Sequence, residues 1–576
     1  MLDRYYEQEL QHLRDLSVQF SKDNPSLAPM LSGPSSDPDV ERLLEGVAFL
    51  VGLAKRKLAD GFPEFIQELT WLLFPQYLRP IPCTTIIVFT ATGKLNEPVH
   101  VAAGVEINSV PVDGTVCVFR TCYAVEVYPC TLLDAQLVKT PGAPAVIKLS
   151  FELSGMALSQ WKAASLRLFL AGSFADAAKL FFLLSRHLQD IRISAPHAET
   201  LTLSPDALKP VGLSNEQALL PYPPHIYPGY RILQEYFILP EKYFFLDLEG
   251  LDRWENRGTG HTFDVEFRLR ETPAWMPEIR RDSFMLHATP AINLFPCDAT
   301  PISLTHQRSE YEVTPAGAMK AHCQIHTIDQ VVGFRQGGAQ EKRYDPFGLF
   351  RQPTEAACGT YHTVLKTSTV ARGTDVYLSV IYAPEEILDD ETLSIKLTCA
   401  NGALPETLRL GDISKPSGSS PERLAFRNIR PPSAFQLAPA DDALLWRLLS
   451  HLTLNYFSLA TAQNLKALLS LYLFSEVHER GRDVANRKRI DSILEVTATP
   501  ASRLVSGYIM RGWHIRVKCQ SDHFAGEGDL FLFGCILDHF LGCYAGLNSY
   551  TRFEIEDAHT GALYRWPERI GQQQLI

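Results

Sequence analysis

Apolar residues recur at helical spacing through the stretch from Asp37 to Pro82, DPDVERLLEGVAFLVGLAKRKLADGFPEFIQELTWLLFPQYLRPIP. Val40, Leu43, Leu44, Val47, Leu50, Val51, Ala54 and Leu58 form one stripe, and Glu41, Arg42, Glu45, Lys55 and Arg56 fall outside it, which is the pattern of an amphipathic helix. Asp37 caps the first turn, Pro38 suits the first helical position, and Asp39 and Glu41 favour the positive end of the helix dipole. Gly61 closes this helix. Pro63 opens a second one, apolar nearly all round through Phe65, Ile66, Leu69, Leu72, Leu73 and Phe74, until Pro75 stops it. Such a hairpin either packs on its own chain or shares a bundle with a partner's helices. The shared bundle makes Val40, Leu43, Val47, Leu50 and Val51 the candidate partner-binding residues.

Before the hairpin, Tyr6, Leu10, Leu13 and Phe20 form a further helical stripe. From Thr84 the period changes to two. TTIIVFT, VHVAAGVEIN, TVCVFR, CYAVEVY and AVIKLSFEL are short, β-branched runs between Gly, Pro and Asp turns. Ser165 to Ser194 reads as strand, helix capped by Ser173, and strand. WHIRVKC, HFAGEGDLFLFGCILDHFLGCYAGLNSY and TRFEIE repeat that order near the end. Tyr236 to Glu249, His261 to Arg270, Ala318 to Phe334 and Gly373 to Tyr382 read as strands. Gly411 to Pro439, with KPSGSSPE and RPPS, offers little for a core and reads as a long connection.

The expected fold is therefore multi-domain α+β. It has a helical N-terminal hairpin, an antiparallel β-rich middle, and a C-terminal region of helices plus a strand–helix–strand unit. The expected boundaries are 1–82 helical, 83–160 β, 161–285 α+β, 286–410 β-rich, 411–440 linker and 441–576 C-terminal. A chain of 576 residues exceeds what one core supports.

Charge and cysteine content narrow the function. A formal net charge of −11 disfavours a general nucleic-acid or anionic-membrane binder. The opening MLDRYYEQELQHLRDL lacks the apolar run of a signal peptide, and no run of apolar residues is long enough to span a bilayer. Eleven cysteines without a CxxC pair read as free thiols in a reducing compartment. The expected location is the cytoplasm, with any membrane association through other proteins.

Candidate chemistry is sparse. His322, Cys323 and His326 suggest a metal, but on a strand the histidines stand ~13 Å apart at ~3.3 Å per residue, too far to share an ion. Cys117, Cys122 and Cys130 lack ligand spacing. Ser159 and Lys162 match Ser-x-x-Lys without its companion patterns. His451 and Asn455 share a helix face, and the basic run Arg480, Arg482, Arg487, Lys488 and Arg489 is interleaved with acids. No catalytic, cofactor-binding or metal residue is expected. A β-rich carbohydrate-active hydrolase with dispersed carboxylates is the alternative, together with a solitary binding module.

One family resembles these segments in order and spacing: the TssF (VasA/ImpG) baseplate subunits of bacterial type VI secretion systems. The similarity rests on YYEQEL at Tyr5 to Leu10, the hairpin segments, TPAINLFPCDATPISLTHQRSEYEV from Thr289 to Val313, and HTIDQVVGF at His326 to Phe334. It continues in LTCANGALPETL at Leu397 to Leu408, WRLLSHLTLNYFSL at Trp446 to Leu459, FAGEGDLFLFG and RWPER. The resemblance implies a non-enzymatic, phage-tail-like wedge subunit. Two copies would hold one TssG, with TssK, TssE and a VgrG hub as further partners, in a cytoplasmic platform docked at the inner membrane through other subunits. It implies no cofactor.

Overall fold

Alternating burial builds most of the protein. The computed structural model describes residues 7, 10, 11, 13, 14, 42–51, 70, 74–223, 226–317, 319–335, 341–347, 359–367, 373–381, 390–437, 461–473, 480–505, 508–543, 545 and 549–571. They fall into two units, Met1–Leu78 with Pro439–Leu449, and Arg79–Ala438 with Ser450–Ile576. The architecture is mixed α+β and strand-rich, with several sheets.

In the first unit residues 42–51 are helical (α1), and Pro75–Leu78 form a buried 3-10 turn. The rest of the Asp37 to Pro75 hairpin lies outside the described residues except Thr70 and Phe74.

The second unit begins with a six-stranded sheet in the order Ile413–Lys415, Glu106–Val112, Thr115–Thr121, Ala288–Ile292, Thr84–Ala91, Leu424–Asn428. Thr84–Ala91 is paired on both sides, with Ile87 opposite Thr289 and Asn428, which is why Ile86, Ile87 and Phe89 are fully buried. The Asp113–Gly114 turn has φ of 47° and 76°, the left-handed pair that a tight hairpin requires. VHVAAGVEIN, expected as one strand, is two: Val99–Val101 and Glu106–Val112. Gly104 turns the chain between them with φ 88°.

The stretch from Gly411 to Pro439 reads in sequence as a connection, yet it supplies both edges of this sheet. Ile413, Leu424 and Phe426 join the core that this sheet covers, and polar side chains fix the chain between them. Asn428 Nδ2 donates to the carbonyls of Arg409 and Arg430, and its Oδ1 accepts the Ile413 N–H. Ser417 Oγ donates to the Glu106 carbonyl at 2.6 Å, and Ser419 Oγ accepts the Glu106 N–H at 3.0 Å. A polar, Pro-rich segment is thereby fixed without a core of its own.

Two further sheets follow. One is Leu201–Leu203, Leu188–Ser194, Thr262–Leu269, Val146–Leu153, Cys130–Val138, and the other is Leu208–Pro210, Phe245–Glu249, Ser165–Leu170, Phe284–Leu286. Between Ser165–Leu170 and Leu188–Ser194 lies α2 (Phe174–Arg186), where Ser173 Oγ accepts the Asp176 N–H at 3.2 Å as the cap. Its flanking strands enter different sheets. Tyr236 to Glu249, expected as a strand, is the end of α3 (Pro228–Ile238), a 3-10 turn, and only then Phe245–Glu249. The run is apolar without a period, and a buried helix and a buried strand read alike in such a run.

An eight-stranded sheet holds Gln324–Arg335 against Glu391–Ala400. The C-terminal region contributes α4 (Ala462–Ser470), α5 (Arg480–Asp491) and α6 (Glu527–Cys543). There Tyr508–Cys519 and Ser549–Asp557 pair in parallel, with α6 as their crossover. On α6 Leu530, Phe531, Leu532, Phe533, Ile536, Leu537, Phe540 and Leu541 are all buried. It packs on α2 through Phe182 and Phe531, ring centroids 4.8 Å apart, and on α3 through Tyr236 and Phe533.

The α2–α6 contact is backbone-close. A Cβ on Gly528 would lie 2.3 Å from the carbonyl carbon of Ala178, so Gly528→Ala must push the helices apart. The expected destabilisation is about 1–3 kcal/mol by urea unfolding. Gly481→Ala, with nothing within 4 Å of its Cβ position, is expected to be neutral or slightly stabilising.

Candidate partner-binding surface

Helix α1 separates the two sides of its sequence cleanly. Leu43, Val47 and Leu50 stand at i, i+4 and i+7 on one face and are 68%, 44% and 64% exposed. Leu44 and Val51 are half-buried and Ala48 is fully buried on the other side. Phe49 is exposed as well. Val40 lies outside the described residues. An exposed apolar stripe with this spacing is the geometry by which one helix seats on another or in a groove. Each Å² of apolar area it covers is worth about 25 cal/mol.

The groups with chemical potential disperse. His322 sits in a 3-10 turn with Nδ1 2.8 Å from Thr115 Oγ1. His326 is buried on the following strand. Cys323 packs in the same core as Cys399, with Cys297 against it. Among the described residues no three His, Cys, Asp or Glu groups converge as metal ligands. Cys117, Cys122 and Cys130 are free, and burial pushes their thiols up to about 11, 12 and 12. Ser159 and Lys162 are both exposed, on a short 3-10 turn and just after it. His451 and Asn455 lie outside the described residues.

The basic run on α5 is partly internal. Arg489 is buried, its Nε 3.1 Å from Asp529 of α6 and its guanidinium over the Phe174 ring at 5.1 Å. Arg482 Nη1 donates to the Ile238 carbonyl. This run ties α5 to α3 and α6.

Two charge clusters escape a reading by motif. In the first, Glu235 on α3 is fully buried with Arg231 and Lys242. Its Oε1 accepts the N–H groups of Leu219 and Leu220 at 2.7 and 2.9 Å, and its Oε2 takes Arg231 Nη1 at 3.1 Å and Lys242 Nζ. Lys242 also donates to the Gln217 carbonyl, and Arg231 to that of Ser214. Burial works against the Glu235 charge, but Lys242 and Arg231 outweigh it and hold the carboxyl below its usual range. Burial pulls Lys242 down to about 8. The available signal was charge embedded in an apolar run, YRILQEYFILPEKYFF, with Arg231 and Glu235 at i, i+4. In the second cluster Glu554 has 1% of its side chain exposed, and His514, Arg516, Arg552 and Arg565 all lie 3.1–3.3 Å from its carboxylate.

Glu235→Gln leaves two buried cations without a counter-charge and is expected to cost about 3–5 kcal/mol, read by denaturant unfolding. Acid is expected to act through buried histidines. Burial lowers His287 from 6.5 to about 4, and His326 and His539 to about 3. Below pH 6.5 the unfolded chain therefore binds protons the folded chain refuses, and stability falls with pH. Asp538, raised by burial from 3.8 to about 6, offsets one of these three protons between those values. The net two-proton difference predicts a loss of about 2–3 kcal/mol per pH unit near pH 5. Calorimetric melting should show a plateau between about pH 7 and 8 and a steep fall between pH 6.5 and 4.

Comparison with known proteins gives this architecture relatives. The family model for type VI secretion system TssF matches residues 1–573. The type VI secretion system component TssF1 of Pseudomonas aeruginosa is 29% identical, across 99% of this chain and 98% of its own. A chain from the cryo-electron microscopy structure of a type VI secretion system TssK-TssF-TssG baseplate subcomplex superposes with a TM-score of 0.79. It is 29% identical, covering 93% of this chain and 99% of that one. A chain from a type VI secretion system baseplate complex shares the fold at a TM-score of 0.62 and 23% identity, with both chains fully covered. A family match over nearly the whole length, on a fold with the same arrangement, places the protein: the chain belongs to the TssF family of the type VI secretion system.

Proposed function

We propose that this TssF chain is a structural subunit of the type VI secretion baseplate and acts by binding geometry, two copies holding one TssG. The observation that carries the reading is the 0.79 superposition on a chain from a TssK-TssF-TssG baseplate subcomplex, over 93% of this chain. The exposed Leu43, Val47 and Leu50 stripe on α1 supports a specific mode. In it, the stripe and Val40 just before α1 join TssG helices in a shared bundle, with the half-buried Val51 on the adjoining side of α1, each copy seating the same stripe in a different environment.

TssK, TssE and a VgrG hub are the further neighbours in this reading, and the chain performs no catalysis of its own. The platform forms in the cytoplasm and meets the inner membrane through other subunits. That agrees with a chain in which no described helix is long and apolar enough to cross a membrane.

Co-expression with the TssG of the same gene cluster and native mass spectrometry test the stoichiometry. Two copies of this chain per TssG are expected, and a stable one-to-one complex overturns it. Leu43→Asp with Leu50→Asp is expected to abolish co-purification with TssG while leaving the melting temperature unchanged, since both side chains are exposed. Retained binding would remove α1 from the interface.

A further inference from the structure

A cavity of about 570 Å³ lies in the second unit, where edge strands of three sheets come together. Leu424–Asn428, Cys130–Val138 and Phe284–Leu286 each end the order of their sheets, and each contributes to the lining. The volume is within the range of ligand-binding clefts, about 300–1,000 Å³. Its walls are two-sided in character. Val88, Leu132 and Met285 supply apolar surface, and the exposed Arg280, Arg281 and Arg427 line the same opening.

The cations are poorly neutralised. Arg281 Nε donates to the Leu132 carbonyl at 2.9 Å, which fixes the group across the cavity and leaves its terminal N–H groups to bond elsewhere. Among the described residues no carboxylate forms an ion pair with Arg281 or Arg427. Arg280 pairs with Glu278, but both side chains are exposed and such pairs are worth little. Among the described residues Asp282 is the one acid in the lining. His287, at the cavity's edge, is neutral at pH 7 and adds no balance in either direction. In a chain of net charge −11, a cleft with surplus guanidiniums is a local reversal of sign.

We propose that this cleft receives an acidic segment of a partner protein, an apolar side chain entering the cavity between carboxylates that pair with Arg281 and Arg427. Charge complementarity selects the acid, and the apolar wall selects the side chain between. The edge strands select a peptide over a free anion, because sheet edges take extended chain by main-chain hydrogen bonding. Planar guanidiniums bind carboxylates in two-point contacts, which makes the site directional. The proposal rests on the reading of the protein as an assembly subunit, and it adds a second contact, on a different unit from α1.

The test uses the full chain and overlapping peptides that tile the TssG and TssK of the same gene cluster, titrated by fluorescence anisotropy. A peptide with an apolar residue between acids is expected to bind. Its affinity should fall at least tenfold for Arg281→Glu with Arg427→Glu, and likewise when its own Asp and Glu are replaced by amides. Leu43→Asp with Leu50→Asp should leave it unchanged. Melting curves confirm that the charge-reversed chain is folded, and Arg281→Lys, which keeps the charge, should retain part of the binding. The proposal is overturned if no peptide binds, if binding ignores the charge reversal, or if inorganic phosphate or citrate competes as strongly as the acidic peptide. Failure of the assembly reading looks different: the two-to-one complex is then missing while the cleft still takes its acidic peptide.

Discussion

A helix that is apolar on every side has to be enclosed, and the enclosure of α6 organises much of the second unit. Phe531 meets α2, Phe533 meets α3, and Phe531 stacks on Trp566, which lies between two short strands of the C-terminal sheet. Segments near residues 180, 235 and 565 are drawn to one rod by the same requirement. The two charges on α6 that face inward are each given a cation, Asp529 by Arg489 and Asp538 by Arg569 at 2.6 Å, since an unpaired carboxylate there would be far costlier than the pair. The close approach at Gly528 completes the fit.

Around this rod the structure uses buried charge to place loops. Glu235 holds the backbone of Leu219 and Leu220, while its two cations hold the carbonyls of Ser214 and Gln217. One carboxylate thus positions the backbone of a loop whose Leu219 and Leu220 side chains are themselves buried. Such a cluster is a poor source of net stability compared with packed hydrocarbon, but it admits a single arrangement of its partners. For a subunit that is proposed to meet several neighbours, a defined surface matters as much as a deep core.

What the sequence discloses follows the range of the interaction. The cap at Ser173, the helix after it and the strand–helix–strand at the end rest on residues within a few positions of each other, and they are readable. The period-two strands of the middle are readable too. Tyr236 to Glu249 is misread because continuous burial erases periodicity. The strands at Ile413 and Leu424 are missed because the core that takes Ile413, Leu424 and Phe426 is built by distant strands, and Asn428 and Ser417 likewise reach other parts of the chain. Spacing groups Leu43, Val47 and Leu50 with Leu44 and Val51, and only the fold separates the exposed three from the half-buried two. The cleft at Arg281 and Arg427 is invisible in sequence, since its residues come from four distant segments whose meeting is a property of three sheets.

The first sheet also sets a timetable. Thr84 donates its N–H to Ser433 Oγ at 2.9 Å across 349 residues, and its neighbours in the sheet come from residues 106–121, 288–292 and 413–428. A sheet with partners so far apart closes only after a large loss of loop entropy, which makes it slow to form. On the ribosome, Thr84–Ala91 must wait for Leu424–Asn428 with its edge exposed, whereas the second and third sheets find their strands between residues 130 and 286 and can form earlier. The nascent chain therefore carries a strongly apolar strand with one edge still open after Ala288–Ile292 has been made, and protecting that edge falls to chaperones or to the speed of translation.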